Sequence, residues 1–144
     1  MKLLPLFFLL LWTGCGSEIE TITPGRGAEK EVGPMANIHP SGESPRIDRH
    51  GVWRGMNGEQ MVWELRYTRG IPTGPYREWN EDGVMIATWP YTWDGKISGW
   101  LRWFDASGPV AKYEVKEPIQ LPFDPVGASS MLREWALNEI KGND

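Results

Sequence analysis

Covalent chemistry has few places to occur in this chain. Its single cysteine, Cys15, carries the one thiol, and a thiol is the side chain best suited to nucleophilic attack or acylation. The two histidines, His39 and His50, have no partners at metal-ligand spacing, so no metal site is expected. Serines and threonines of the aromatic-rich half lack a histidine base, which leaves a catalytic triad without support. Carboxylates occur there as Glu78, Glu81, Asp82, Asp94 and Asp105, and a pair of them could in principle cleave a glycosidic bond. Their turn and strand-end positions are those of solubilising charges instead. The expectation is a protein that is not an enzyme and holds no cofactor and no metal.

What remains conspicuous is tryptophan. There are nine, and seven of them, Trp53 to Trp103, fall in one stretch. Trp63 and Trp79 read as core, because a small sheet has little else with which to bury area. Trp100 and Trp103 lie on opposite faces of one strand if pairing is regular. At least one face therefore shows indole to solvent, and Trp93, Trp100 and Trp103, with Arg77 and Arg102 nearby, are the candidate binding residues. Such residues anchor protein partners, stack on sugar rings, or rest in a membrane interface.

Cys15 follows Lys2, a ten-residue apolar run from Leu3 to Trp12, and the small residues Thr13 and Gly14. A basic start, a short apolar stretch and small residues before a cut make an export signal, and ten apolar residues are too few to span a bilayer that needs about 20. An ordinary signal peptide is the competing reading. The run and Thr13-Gly14-Cys15 resemble the bacterial lipobox, with Trp12 where that motif usually has leucine. The resemblance implies cleavage after Gly14 (residues 1–14 removed), acylation of Cys15 by fatty acid such as palmitate, and a lipoprotein of the cell envelope. Gly16, in place of a retaining aspartate, implies the outer membrane, facing the periplasm.

Charge and composition divide the rest. Removing Lys2 takes the net charge from -4 to -5, and Arg49 to Val115 carries eight basic and eight acidic side chains, so nucleic acid is not an expected partner. Residues 16–48 contain five glycines, four prolines and no Phe, Tyr or Trp. Such a segment buries too little apolar surface to offset its ordering entropy. Residues 15–48 are therefore expected to be the acylated cysteine and a disordered tether, spanning roughly 30 Å as a coil.

From Gly70 the chain repeats at a period of 25. Gly70, Gly74 and Gly83 recur as Gly95, Gly99 and Gly108, with a shorter first copy around Gly51, Gly55 and Gly58. Asn57-Gly58, Asp82-Gly83 and Ser107-Gly108 are hairpin turn pairs. They place strands near residues 52–56, 61–67, 74–80, 84–89, 98–105 and 110–115, with a bulge where Tyr76 and Trp79, three apart, break alternation. Single hairpins cannot bury an apolar face alone, so the copies should stack side by side as an antiparallel meander. Gly70-Ile71-Pro72-Thr73-Gly74-Pro75-Tyr76-Arg77-Glu78-Trp79 through Gly83, and its counterpart from Gly95 to Gly108, resemble the MORN repeat in its bacterial variant, found in some proteins labelled antitoxin components. That resemblance implies a membrane-proximal or protein-binding scaffold over residues 49–115.

Residues 116–144 read as a proline-rich extended connection followed by a helix capped at Asp124 or Ser129 and stopped at Gly142. Met131, Leu132, Trp135, Ala136 and Ile140 share one side of it, suited to covering apolar surface on the last hairpin. The expected fold is mainly β: an antiparallel meander of stacked MORN-like hairpins with a disordered N-terminal tether and a short C-terminal helix. The expected function is a lipid-anchored protein-interaction scaffold that meets the membrane through Cys15 and an envelope protein through its aromatics. The alternatives are recognition of peptidoglycan or another polysaccharide, and a small envelope hydrolase.

Overall fold

The computed structural model describes residues 18–21, 26–38 and 46–141. Nine strands and one helix follow in chain order: β1 (Glu18–Thr21), β2 (Lys30–Ile38), β3 (Arg46–Arg49), β4 (Gly51–Asn57), β5 (Gln60–Thr68), β6 (Ile71–Trp79), β7 (Met85–Tyr91), β8 (Ile97–Asp105), β9 (Gly108–Ile119) and α1 (Ser129–Lys141). From β4 to β9 each strand pairs antiparallel with the next, the meander expected from the repeat, while β2 joins β4 at one end and also carries β1 and β3. Gly58, Gly83 and Gly108 all stand in the left-handed φ region at hairpin tips, where a side chain would strain the backbone. The ladder between β6 and β7 shifts register between Glu78 and Trp79, the bulge that the Tyr76 to Trp79 spacing predicts.

One face of the sheet holds the core. Two of its indoles have small cross-strand partners: Trp63 lies opposite Gly55, and Trp103 between Ala87 and Ala111. A Cβ at Gly55 would enter the Trp63 indole, and one at Gly33 the Trp53 indole. Wide rings thus pack at interior density because their neighbours are small. Leu65, Tyr76, Trp89 and Leu101 complete the layer, with Tyr76 stacked on Trp89 at 4.1 Å between ring centres.

The disordered tether is corrected by the structure within the described residues. Strands β1, β2 and β3 occupy the stretch, and three kinds of tie explain why a segment without aromatics still orders. Indoles of the repeats use its backbone as acceptor, Trp53 Nε1 donating to Pro34 O at 2.8 Å and Trp63 Nε1 to Arg26 O at 3.0 Å. Its Gly33 makes room for the Trp53 ring. Glu31, its one fully buried side chain among the described residues, is 0% exposed and bonded to Arg26 and Arg49, and the Arg49 guanidinium lies 4.2 Å over the Trp53 ring. The segment contributes acceptors, small residues and a charge, and borrows its apolar area from the meander.

The C-terminal connection runs from β9 through Leu121 and Val126, both buried, into α1. The helix begins at Ser129, but neither possible cap closes it: Ala128 O is the first acceptor, taking the Leu132 N–H at 3.3 Å, while the Ser129 hydroxyl donates to Glu78 and Asp124 accepts from the Val126 N–H. Leu132 and Ala136 enter the core and Trp135 meets Tyr113 edge-on at 6.4 Å, so α1 covers the terminal hairpin as expected. Met131 does not join them: it is 50% exposed, because the face is narrower than the sequence pattern suggested. Gly142 lies outside the described residues.

Candidate functional site

The sheet's two faces are finished differently. On the tryptophan side, the 26–28 segment, the 121–128 connection and α1 close over the core. The opposite side carries one residue per strand in a continuous cross-strand row: Arg54, Glu64, Arg77, Thr88, Arg102 and Lys112, each in register with the next. Strands stand about 4.8 Å apart, so the row extends for about 24 Å. Glu64 accepts from Arg54 Nε at 3.1 Å and from Arg77 Nη1 at 3.3 Å. Flanking the row on the same side is Trp100, 40% exposed, with Lys112 Nζ 5.0 Å over its ring.

Three of the sequence-predicted binding residues, Arg77, Arg102 and Trp100, are therefore brought together on this outer face. Trp93 is set apart at the turn between β7 and β8, where it is 86% exposed. Trp103 is a correction. It is 4% exposed on the covered side, and its Nε1 donates to Ser129 O at 2.9 Å, so it is a core residue that receives the helix. Trp79, expected in the core, is half-buried beyond the bulge. Cys15 and His39 lie outside the described residues. His50 is exposed and accepts from the Arg69 backbone N–H at 3.2 Å, and no group of three or more potential metal ligands forms among the described residues.

Two polar constellations escaped the sequence reading. Glu78, taken for a solubilising carboxylate, is buried: it accepts from Tyr76 OH at 2.7 Å and from Ser129 Oγ at 2.9 Å, while Gly127 N–H donates to Tyr76 OH at 2.7 Å. Burial raises the Glu78 pKa, and the Tyr76 and Ser129 donors offset only part of the rise. Burial and the neighbouring carboxylate also push the Tyr76 phenol well up, so it stays a donor. The second constellation is Arg26, Arg49 and Tyr67, which line a cleft of about 700 Å³ together with the 120–126 connection, and the buried Glu31 behind them. Arg26 Nη2 donates to Tyr67 OH at 2.9 Å and its Nε pairs with Asp124 at 3.1 Å. Its guanidinium is spent on the chain's own groups.

The Glu78 knot yields a pH prediction. A carboxyl whose folded pKa lies above its unfolded value, about 4.3, favours folding most below that value. The contribution is lost as pH rises through the raised folded pKa. Glu78→Gln stays neutral and should lack this decline, so the stability of the variant relative to the parent should rise across that interval. Asp94 and Asp105, held low by bonds from Thr92 and Ser107, slope the other way and cancel in the difference. Unfolding free energies of both proteins at a series of pH values check it; a constant difference would contradict the assignment.

Compared with protein-family models, with curated proteins and with solved structures, the chain matches none of them. No described helix is long and apolar enough to cross a membrane.

Proposed function

We propose that this is a non-enzymatic, lipid-anchored protein of the bacterial envelope, at the outer membrane and facing the periplasm, whose MORN-like meander is a scaffold for a protein partner. The observation that carries it is the asymmetry of the sheet: one face is sealed by the helix, the C-terminal connection and the 26–28 segment, and the other presents a row of arginines with a half-exposed indole. A sheet face built only for stability would not need four cations in register, whereas arginine and tryptophan are the side chains that anchor interfaces. Strand β1 begins three residues after Cys15, a reach of at most about 11 Å. With Cys15 acylated the domain sits close against the bilayer rather than at the end of a long tether.

Two experiments test the reading. Cys15→Ser should release the protein from membranes, since stable anchoring needs acyl chains; a variant still pelleting after a high-salt wash would sink the anchor. A photo-crosslinking residue at Arg66, exposed on the outer face of β5, should capture a protein from intact envelopes, and one at Arg133, exposed on α1, should not. Equal capture from both positions, or binding of purified peptidoglycan in place of protein capture, would overturn the scaffold reading in favour of the polysaccharide one.

A further inference from the structure

The cross-strand row is not neutralised evenly. At one end the chain sets its own carboxylate, Glu64, between Arg54 and Arg77 and bonds it to both. At the other end Arg102 faces Lys112 directly, and like charges directly opposite one another destabilise a sheet. Neither cation has an acidic partner among the described residues: the Arg102 side chain makes no hydrogen bond or ion pair, and the Lys112 ammonium meets only the Trp100 ring. The nearest carboxylate by register, Glu114, stands opposite Trp100 and forms no ion pair there. Both line a hollow of about 650 Å³, together with Phe104, Pro109, Val110 and Ala111. Apolar walls lower the local dielectric and strengthen any charge pairing made beside them.

We propose that Arg102 and Lys112 recognise a carboxylate side chain of an acidic protein segment whose neighbouring apolar residue fills the hollow against Phe104 and Val110. The inference rests on the scaffold reading and names the chemistry of its partner. A guanidinium presents a planar fork that a carboxylate fits with two parallel bonds, and the ammonium supplies a second charge from the adjacent strand. The apolar walls decide between anions. A phosphate or an acidic glycan would use the two cations and leave Phe104, Pro109 and Val110 facing water, whereas a peptide carries acid and hydrocarbon together. The bound carboxylate would complete the row as Glu64 completes its other half.

The test uses the full-length protein and a fluorescent synthetic peptide of glutamate and valine. The peptide should bind the parent and weaken with added salt. Arg102→Gln and Lys112→Gln should each raise its Kd about thirtyfold or more, the usual order for losing one partner of a desolvated charge pair, while Arg133→Gln binds like the parent. A peptide with glutamine for glutamate should not bind. Both variants should melt no earlier than the parent, since each removes a like-charge contact; an earlier melt would make the pair structural and overturn the proposal. So would equal weakening by Arg133→Gln, or displacement of the peptide by inorganic phosphate or phosphatidylglycerol vesicles at concentrations comparable with its Kd. Capture through the Arg66 position that survives in Arg102→Gln would end this inference and leave the scaffold reading standing; loss of Arg66 capture with peptide binding intact would do the reverse.

Discussion

Trp103→Ala is expected to cost about 3 to 5 kcal/mol of stability, and Trp100→Ala, three residues away, to stay within about 1 kcal/mol of the parent. The two indoles leave one strand on opposite sides, and their surroundings differ in every respect that sets the penalty. Trp103 is 4% exposed, is flanked in register by Ala87 and Ala111, and donates to the Ser129 carbonyl at the start of α1. Small neighbours cannot close over the space that truncation leaves, so the cavity cost is near the upper end. The Ser129 carbonyl also loses the indole as its second donor, while keeping the bond that its place in the first turn of α1 gives it. For a domain whose total stability is of order 5 to 15 kcal/mol, the cavity cost alone is a large share of the whole. Trp100 loses only a half-exposed contact with Lys112. Urea titrations of the two variants measure the difference; a Trp103→Ala midpoint equal to that of Trp100→Ala would show that the helix does not depend on this indole.

The contrast also marks what the sequence could tell. Period-two alternation puts Trp100 and Trp103 on opposite faces, and that much was legible. Which face is inside depends on where the chain folds back after Pro125, and no local pattern carries that. The meander itself was readable because its turns and bulges are written in glycine: Gly70 and Gly95, in turns, have φ of 79° and 81°, and Gly74 and Gly99, inside β6 and β8, have 74° and 82°. Glu78 was misread for a different reason. Its donors include Ser129, 51 residues onward, so a carboxylate that looks like loop charge becomes a buried acceptor only after α1 docks. The outer row is likewise a product of registers across six strands, each shifted by bulges that the sequence places only approximately. Arg77 and Arg102 were visible as repeat equivalents; that Glu64 compensates one and nothing in the described chain compensates the other was not. The tether failed because composition weighs what a segment can bury for itself, whereas residues 26–38 are held by indoles belonging to β4 and β5.

That dependence makes Gly127→Ala the most damaging substitution expected at a glycine. Gly127 has a φ of 71°, where an alanine costs about 1 to 3 kcal/mol in backbone strain alone. A Cβ there would also run into the Arg26 carbonyl. This obstacle is backbone, so no rotamer change relieves it, and overpacking adds about 1 to 3 kcal/mol more. The Gly127 N–H meanwhile holds Tyr76 OH at 2.7 Å, and the Arg26 carbonyl holds the Trp63 indole. Shifting either chain to admit a methyl therefore disturbs both the Glu78 knot and the seat of Trp63. Gly58→Ala is the matched comparison: its φ is 59°, yet a Cβ there meets nothing within 4 Å, so only the strain remains. Gly127→Ala should lose roughly twice as much stability as Gly58→Ala. Its amide exchange should also quicken in β2, which the 26–28 segment leads into, more than in β7 or β8 at the centre of the repeats. Equal losses from the two variants, with exchange in β2 unchanged, would mean that the N-terminal segment is not clasped between the repeats and the C-terminal connection. The domain would then begin at β4, as the sequence alone suggested.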